Sequence, residues 1–201
     1  MKVAIVDYGA GNVPSVERAL RKLGANAARV NDADALASAR AMVLPGVGHF
    51  AALIRALDER ELRAPLKDAI LSGKPFLGIC LGLQALYQSS EEAPDLAGLG
   101  IFPEKVCGLP ANVKLPHMGW NRLKMRRSSP LLEGLTEDHY FYFAHSFAAQ
   151  AADGETLAVC DYGAEFAAVL EVDRVCAVQF HPEKSGEAGA LLLANFLRLA
   201  A

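Results

Sequence analysis

The segment GICLG at residues 78–82 places a thiol between two glycines, directly after an apolar run. This is the form of a nucleophile elbow, a sharp strand-to-helix turn that holds its central residue in a strained conformation and lifts the side chain clear of the sheet. The following helix start would stabilise Cys80 as a thiolate, and the Leu81 N–H could donate to a developing oxyanion. Taken alone, a buried and inert cysteine is the commoner explanation, because free cysteines are usually buried.

A second chemical segment is QFHPE at residues 179–183, at the end of a predicted strand. In an extended backbone, residues two apart lie on one face, so the Glu183 carboxylate can reach the His181 imidazole. A carboxylate on one ring nitrogen fixes the tautomer and leaves the other nitrogen to exchange a proton with a thiol and a leaving amine. For His-x-Glu alone, a surface histidine beside a glutamate is the commoner explanation. That explanation becomes less favoured when the same chain also contains a cysteine elbow.

The third segment, PGVG at residues 45–48, also follows a predicted strand. Catalytic groups gather at the carboxyl ends of parallel strands, so Cys80 and His181 meet if the strands before them are neighbours. The two glycines would let the backbone turn an N–H toward a substrate oxygen and complete an oxyanion hole with Leu81. An ordinary strand-to-helix turn is the alternative. Gly-x-Gly alone is a weak signal, and only the presence of the other two segments supports the oxyanion-hole interpretation.

The elements that must position these groups alternate in the first half of the chain. Strand-like apolar runs cover residues 3–6, 27–30, 41–44 and 75–80, and helical patterns cover 13–23, 32–39, 50–71 and 81–87. Pro65 marks a break or a second start within the longest helical region. Repeated strand–helix alternation predicts a mostly parallel central sheet covered by helices on both faces.

The second half is predicted to be β-rich, from about residue 98 to residue 180. Short strand-like runs lie at 113–115, 140–144, 156–160, 167–172 and 175–180, with a tight hairpin expected at Asp173-Arg174. Trp120, the single tryptophan, lies in the turn-like Gly119-Trp120-Asn121. Residues 187–199 form a predicted amphipathic helix. The pattern favours one α/β domain spanning residues 1–201.

Charge and cysteine placement exclude several classes of function. The chain has 20 basic and 23 acidic residues, so no positive excess points to nucleic acid or an anionic membrane. The apolar run at 3–6 stops at Asp7, which predicts neither a signal peptide nor a spanning helix and favours a cytoplasmic location. The four cysteines are scattered, with no Cys-x-x-Cys pair, so no metal site and no disulfide framework are expected. The loop GAGN at 9–12 fails the dinucleotide pattern, because Pro14 occupies the third glycine position, and no cofactor is expected.

Together, PGVG at 45–48, GICLGLQ at 78–84 and QFHPEKSG at 179–186 resemble the class I (triad) glutamine amidotransferases. The segments VDYGAGN at 6–12, PHMGWN at 116–121 and FYFAHSF at 141–147 narrow the resemblance to the glutaminase subunits of imidazole glycerol phosphate synthase, an enzyme of histidine biosynthesis. The resemblance implies that Cys80 attacks the side-chain amide of glutamine. It further implies that His181 carries protons to the departing ammonia and that Glu183 orients His181.

The same resemblance implies the residues that bind glutamine. Backbone N–H groups near Val47, Gly48 and Leu81 would bind the oxyanion. The glutamine site would be lined by Gln84, His145, Ser146 and Phe147. The family often has tyrosine at the position of Phe147, so only a backbone contact is expected there.

The resemblance also implies a partner, a (β/α)8-barrel cyclase subunit that forms a heterodimer with the glutaminase. The cyclase uses the ammonia to make imidazole glycerol phosphate and an aminoimidazole carboxamide ribotide. The expected interface residues are Tyr8, Asn12, Trp120, Tyr142 and Lys184. Without the resemblance, a role in the core would be the first interpretation for Trp120, and a solvated side chain is the alternative for Lys184.

Three other functions are weighed against this one. A triad glutaminase could serve another synthase, such as those of pyridoxal phosphate or anthranilate synthesis. A catalytically silent interaction module would lack a triad member, and none is missing. A general cysteine hydrolase or peptidase would not explain PGVG and HPEKSG together. Because 201 residues hold a glutaminase domain but leave no room for a synthase domain, the acceptor chemistry is expected on another polypeptide.

Overall fold

The chain forms thirteen strands and six α-helices, and the computed structural model describes all of residues 1–201. The strands are β1 (Lys2–Val6), β2 (Asn26–Val30), β3 (Ala41–Gly46), β4 (Phe76–Cys80), β5 (Tyr87–Ser90), β6 (Phe102–Gly108), β7 (His117–Arg122), β8 (Lys124–Met125), β9 (Tyr140–His145), β10 (Phe147–Ala149), β11 (Thr156–Asp161), β12 (Glu165–Val172) and β13 (Val175–Val178). The helices are α1 (Val13–Lys22), α2 (Ala33–Ser38), α3 (Phe50–Glu59), α4 (Arg63–Leu71), α5 (Leu81–Gln84) and α6 (Gly186–Leu199).

Eight strands form one sheet in the order β2-β1-β3-β4-β13-β12-β11-β8. The first five are parallel, and β12, β11 and β8 continue the sheet with antiparallel pairing. Every residue of β3 and β4 is buried, as expected for central parallel strands covered on both faces. The predicted α/β class, with a mostly parallel central sheet and a β-rich second half, is confirmed.

The helices cover both faces of this sheet. Side chains of successive strand residues point to opposite faces, so the residues of one strand divide between two hydrophobic clusters. In β1, Val3 and Ile5 belong to the hydrophobic cluster that includes residues of α1 and α6. Ala4 and Val6 belong to the other cluster, which includes residues of α2, α3 and α4. None of these helices combines the length and the apolar character that crossing a membrane would require.

The central strands place the three chemical segments at one edge of the sheet. β4 lies between β3 and β13, and it is parallel to both. Gly46 at the end of β3 is in register with Cys80 at the end of β4, and Val178 is in register with Ile79. The strands that precede Cys80 and His181 are therefore neighbours, which is the condition under which these two residues were expected to meet.

Several local predictions are also confirmed. The helical region 50–71 divides into α3 and α4, and Pro65 lies in the first turn of α4, where proline is tolerated because no intrahelical N–H is needed. Asp173 and Arg174 form a two-residue turn, since Val172 is in register with Val175. Asp173 adopts φ +52°, a left-handed conformation that Asp tolerates better than most residues.

Other local predictions are wrong. Residues 113–115 form no strand; instead the Lys114 carbonyl accepts a hydrogen bond from the Tyr162 hydroxyl. The helix predicted over 81–87 ends at Gln84, and the next apolar residues enter β5, which pairs with β6. Trp120 lies within β7, not in a turn, because β7 pairs along its whole length with β9. These pairings join distant segments, which local patterns do not reveal.

Candidate active site

Cys80 is the last residue of β4 and adopts φ +53° and ψ −107°, while α5 begins at the next residue. A non-glycine residue in such a conformation stores strain of about 1–3 kcal/mol, so the surrounding structure must enforce it. A Cβ atom on Gly78 would lie 2.7 Å from the Gly82 carbonyl oxygen, and one on Gly82 would overlap the Leu44 carbonyl oxygen of β3. The two glycines therefore let the turn pack tightly and lift Cys80 above the sheet.

His181 and Glu183 form a buried pair behind the thiol. The His181 Nδ1 atom lies 3.0 Å from Glu183 Oε1, and the Glu183 side chain is fully buried. The link between them is a 3-10 turn at Pro182–Lys184, not the extended segment expected from the sequence. Asn12 Nδ2 donates a hydrogen bond of 2.9 Å to the same Oε1 atom. The carboxylate is thus held from two sides by polar groups.

The charges of this group are strongly coupled. Burial alone would lower the pKa of His181, but hydrogen bonds to Cys80 and Glu183, with the negative charges of both, raise it to about 9. Burial alone would raise the pKa of Glu183, but the hydrogen bond and charge of His181, together with Asn12, hold it below its usual value. The arrangement favours an imidazolium at His181 beside the Glu183 carboxylate at neutral pH.

These groups open into a cavity of about 410 Å³. The seven residues expected to bind glutamine all line it, together with Cys80, His181, Asn12 and Lys184 from the other predicted sets. The seven are Val47, Gly48, Leu81, Gln84, His145, Ser146 and Phe147. Gly48 has φ +94°, and no neighbouring atom lies within 4 Å of the position that its Cβ would take. The structure therefore brings the thiol, the imidazole and the predicted binding residues to one cavity.

The residues expected at a partner interface divide into two groups. Trp120 is 55% exposed, its ring centroid lies 5.9 Å from that of Tyr142, and Lys184 Nζ lies 5.4 Å from the Tyr142 ring. Tyr8 is only 2% exposed, and burial raises its pKa to about 12, so its side chain does not fit the expected interface role. Asn12 reaches inward to Glu183, which gives it a second role.

Two polar residues of this site were given no role in the sequence-based prediction. Gln179 directly follows β13, two residues before His181, and its Nε2 atom donates a hydrogen bond of 3.5 Å to Cys80 Sγ. Glu92 lines the cavity, and its Oε2 atom accepts a hydrogen bond of 2.6 Å from the Phe50 N–H. The glutamine that follows the apolar run at residues 175–178 was a usable signal, because a polar side chain in a buried segment needs a hydrogen-bond partner. Glu92 lies just after β5, in a stretch for which the sequence pattern predicted no element.

A pair of buried histidines lies on the β7–β9 side of the cavity. His117 Nδ1 and His145 Nε2 are 3.1 Å apart, and both residues are buried. Burial lowers the pKa of His117 to about 4 and that of His145 to about 3, so both rings are neutral at neutral pH.

We expect this pair to make the protein less stable as the pH falls below about 6.5. Below this pH the histidines of the unfolded chain bind protons, whereas those of the folded chain bind them only at pH 4 or below. Each histidine therefore contributes at most about 1.4 kcal/mol per pH unit to the slope of the unfolding free energy against pH. His117→Phe removes one of the two groups, so the slope of its unfolding free energy should be smaller between pH 6.5 and 4.5. Urea unfolding at several pH values measures this slope.

Cys160→Ala is the control for this experiment, because burial raises the pKa of Cys160 to about 12 and the residue does not titrate in the acid range. It should lower the unfolding free energy by a similar amount at each pH. Equal slopes in wild type and His117→Phe would contradict the prediction.

The sequence profile described as glutamine amidotransferase class-I matches residues 4–200. An imidazole glycerol phosphate synthase subunit HisH from Methanothermobacter thermautotrophicus is 49% identical over 197 residues, covering 98% of both chains. The protein of the same name from Desulfitobacterium hafniense is 46% identical over 195 residues, covering 96% of this chain and 92% of its own.

Solved structures share the fold at lower sequence identity. A crystal structure of a glutamine amidotransferase superimposes with a TM-score of 0.78 at 22% identity, covering 98% of both chains. A chain from the structure of PurLQS from Thermotoga maritima gives a TM-score of 0.76 at 18% identity, covering 98% of this chain and 97% of its own. The profile match over nearly the whole chain and the identity to curated relatives place this chain in the class I glutamine amidotransferase family, among its HisH members.

Proposed function

We propose that this chain is the glutaminase subunit of an imidazole glycerol phosphate synthase, acting in the cytoplasm as a single domain of residues 1–201. It hydrolyses glutamine to glutamate and ammonia, and the ammonia passes to a (β/α)8-barrel cyclase that makes imidazole glycerol phosphate and an aminoimidazole carboxamide ribotide. The observation that carries the proposal is the strained Cys80 elbow, which lines the same cavity as a buried imidazole that a carboxylate orients. The identity to HisH relatives supports the choice of synthase.

In the first half-reaction, the Cys80 thiolate attacks the side-chain carbonyl carbon of glutamine. The C=O electron pair moves to oxygen, and a tetrahedral oxyanion forms. His181 then donates its proton to the amide nitrogen as the C–N bond breaks, which releases ammonia and leaves a γ-glutamyl thioester on Cys80. Glu183 accepts from His181 Nδ1, so the other ring nitrogen is the one that exchanges this proton.

In the second half-reaction, neutral His181 acts as a base toward a water molecule. The water oxygen attacks the thioester carbonyl as His181 removes its proton, and the C–S bond of the resulting tetrahedral species breaks. Glutamate leaves, and Cys80 and His181 return to their starting state. The buried Glu183 carboxylate stabilises the imidazolium each time it forms, and Asn12 keeps that carboxylate in place.

The oxyanion would be bound by the N–H of Leu81 and by a backbone N–H at Val47 or Gly48. Leu81 directly follows the nucleophile, and the PGVG segment lies beside it because β3 and β4 are paired. Backbone donors in a partly buried cavity stabilise developing negative charge at little reorganisation cost, and one such donor is typically worth about 2.7–4 kcal/mol.

Glutamine recognition is assigned to Gln84 and Glu92. The amide nitrogen of Gln84 donates to the Phe147 carbonyl at 2.7 Å and to Gln179 Oε1 at 3.2 Å, which uses both of its N–H groups. Its Oε1 atom is left to accept a hydrogen bond from the substrate carboxamide. Glu92 supplies a carboxylate at the cavity wall for the α-ammonium group of glutamine.

The surface formed by Trp120, Tyr142 and Lys184 would bind the cyclase subunit. Nearby on β7 and β9, Met118 is 64% exposed and Tyr140 is 52% exposed, so this region presents apolar area that binding would bury. Exposed aromatic residues are common anchors of protein interfaces. Lys184 links this surface to the active site, because it also lines the cavity.

The test is ammonia release from glutamine by the isolated chain, and then by the chain with a barrel cyclase and its nucleotide ligand. We expect the rate to rise about 10- to 100-fold in the complex, which is an ordinary size for coupling between two sites. Trp120→Ala should reduce this activation while leaving the low rate of the isolated chain in place. A coupled enzyme assay for glutamate measures both.

Leu71→Ala is the matched control, because Leu71 is also a large exposed apolar residue, at 63% exposure, but lies at the end of α4. It should leave the activation unchanged. Absence of a complex with the cyclase, with no rise in glutamine hydrolysis, would count against this synthase and favour a glutaminase of another one.

A further inference from the structure

A buried chain of hydrogen bonds lies behind the nucleophile. Gln179 donates from Nε2 to Cys80 Sγ at 3.5 Å, and its Oε1 atom accepts from Gln84 Nε2 at 3.2 Å. Gln84 Nε2 also donates to the Phe147 carbonyl at 2.7 Å. Gln179 is 0% exposed and Gln84 is 3% exposed, so water does not compete for these amides.

The Phe147 carbonyl determines the orientation of both side-chain amides in this hydrogen-bond network. Because a carbonyl oxygen only accepts, Gln84 must turn its nitrogen toward Phe147. Gln179 must then turn its oxygen toward the Gln84 nitrogen, and its own nitrogen faces Cys80. If the Gln179 amide were flipped, two nitrogen donors would face each other and an oxygen would face the sulfur. The network therefore presents an N–H group to the nucleophile.

The two buried histidines fix the Phe147 carbonyl itself. His145 Nδ1 lies 2.9 Å from this oxygen, so Nδ1 must carry the proton. In a neutral ring, Nε2 is then an acceptor, and His117 Nδ1 donates to it across 3.1 Å. The Phe147 carbonyl thus accepts hydrogen bonds from both His145 and Gln84. These two bonds hold in place the acceptor that orients the Gln84 and Gln179 amides.

We propose that Gln179 is a fourth residue of the catalytic machinery, which stabilises the Cys80 thiolate by donating a hydrogen bond to its sulfur. An N–H group that donates to sulfur favours the charged thiolate over the neutral thiol, because the thiolate is the stronger acceptor. The sulfur is then held between Gln179 and His181. The inference rests on the proposed role of Cys80 as the nucleophile.

The test is the pH dependence of Cys80 alkylation by iodoacetamide, followed by mass spectrometry of the peptide that contains Cys80. In Gln179→Met, which has no N–H donor, we expect the midpoint of the profile to rise by about one pH unit. The alkylation rate at neutral pH should fall about 10-fold, as for loss of a hydrogen bond to a charged group. In Gln179→Glu, a carboxylate oxygen replaces the donor, and the midpoint should rise further.

Asn195→Leu is the matched control. Asn195 is also a buried amide, and its nitrogen donates to the Leu131 and Glu133 carbonyls away from the cavity. Its loss should lower stability in thermal unfolding without moving the alkylation midpoint. A purely structural role of Gln179 would have the same signature, so an unmoved midpoint in a folded Gln179 variant overturns the proposal.

A measurement on the wild-type chain covers the case in which neither variant folds. The NMR resonances of the Gln179 side-chain amide should shift with pH at the same midpoint as Cys80 alkylation. If these resonances do not shift at that midpoint, the proposal is overturned. Alkylation requires neither glutamine nor cyclase. Failure of the proposed glutaminase function is therefore seen separately, as absence of ammonia release from a chain whose Cys80 still reacts.

Discussion

Cys80→Ala should abolish glutamine-dependent synthesis by the complex with the cyclase, with a loss of at least about 10⁴-fold in kcat/KM. Under the proposed mechanism no other group can form the thioester, since the remaining side chains of the cavity include no second thiol. A loss of this size corresponds to about 5.4 kcal/mol of lost transition-state stabilisation. The measurement is product formation from glutamine, with the added cyclase and its nucleotide in excess.

The same variant should keep synthesis from added ammonium salts, which provides an internal control for folding and complex formation. Alanine retains the Cβ atom of Cys80, so the strained backbone at φ +53° is not relieved and the fold of the elbow is preserved. Turnover from glutamine in the absence of the thiol would show that Cys80 is not the nucleophile. Loss of ammonium-dependent turnover as well would point instead to a disturbed complex.

The parallel arrangement of the central strands was accessible from the sequence because each predicted strand in the first half was followed by a helical pattern. That alternation predicts a parallel sheet, and the carboxyl ends of its strands must share one edge. Two glycines around Cys80 and two in PGVG then indicated where the backbone turns sharply. The structure adds the register, in which Gly46 of the PGVG segment pairs with Cys80.

The smaller sheets were not accessible in the same way. β5, β6 and β10 form one sheet, and β7 pairs with β9, so each depends on contacts between segments far apart in the chain. The apolar residues after Gln84 fit a helix or a strand equally well, and tertiary pairing decided for β5. The location of Trp120 was missed for the same reason.

Residues that act through other residues were also hard to find from sequence. Asn12 and Glu183 are separated by 171 positions but share a hydrogen bond of 2.9 Å. Gln179 stands two positions before His181, yet its importance depends on an amide orientation that Phe147 and Gln84 impose. Motif spacing identified Cys80, His181 and the orienting Glu183, whereas the contacts of Asn12 and Gln179 become visible only in three dimensions.

Glu183→Gln should separate the orienting role of this residue from the role of its charge. Both hydrogen bonds to Glu183, from His181 Nδ1 and from Asn12 Nδ2, go to Oε1, and Oε2 is buried without a partner. A glutamine can therefore keep its oxygen at the position of Oε1 and preserve both bonds. The His181 ring then retains its tautomer, but the imidazolium loses its anionic partner.

We expect Glu183→Gln to lower kcat/KM for glutamine by about 10- to 100-fold, as for loss of a charge-assisted hydrogen bond. Glu183→Leu removes the acceptor too, and the loss should approach the 10⁴-fold that follows when a catalytic histidine has the wrong tautomer. Similar losses in the two variants would show that the charge, not the orientation, dominates. Both variants should retain ammonium-dependent synthesis in the complex, which checks that they fold.

The pH profile gives an independent measurement on Glu183→Gln. The negative charge of Glu183 helps to raise the pKa of His181 to about 9, so its removal should lower this pKa. The imidazolium form is required to protonate the departing ammonia, so activity is lost as the pH rises through the pKa of His181. The alkaline limb of kcat/KM should therefore move to lower pH in Glu183→Gln. An unmoved limb would contradict the assignment of this limb to His181, because the neutral amide of the variant cannot supply the missing charge.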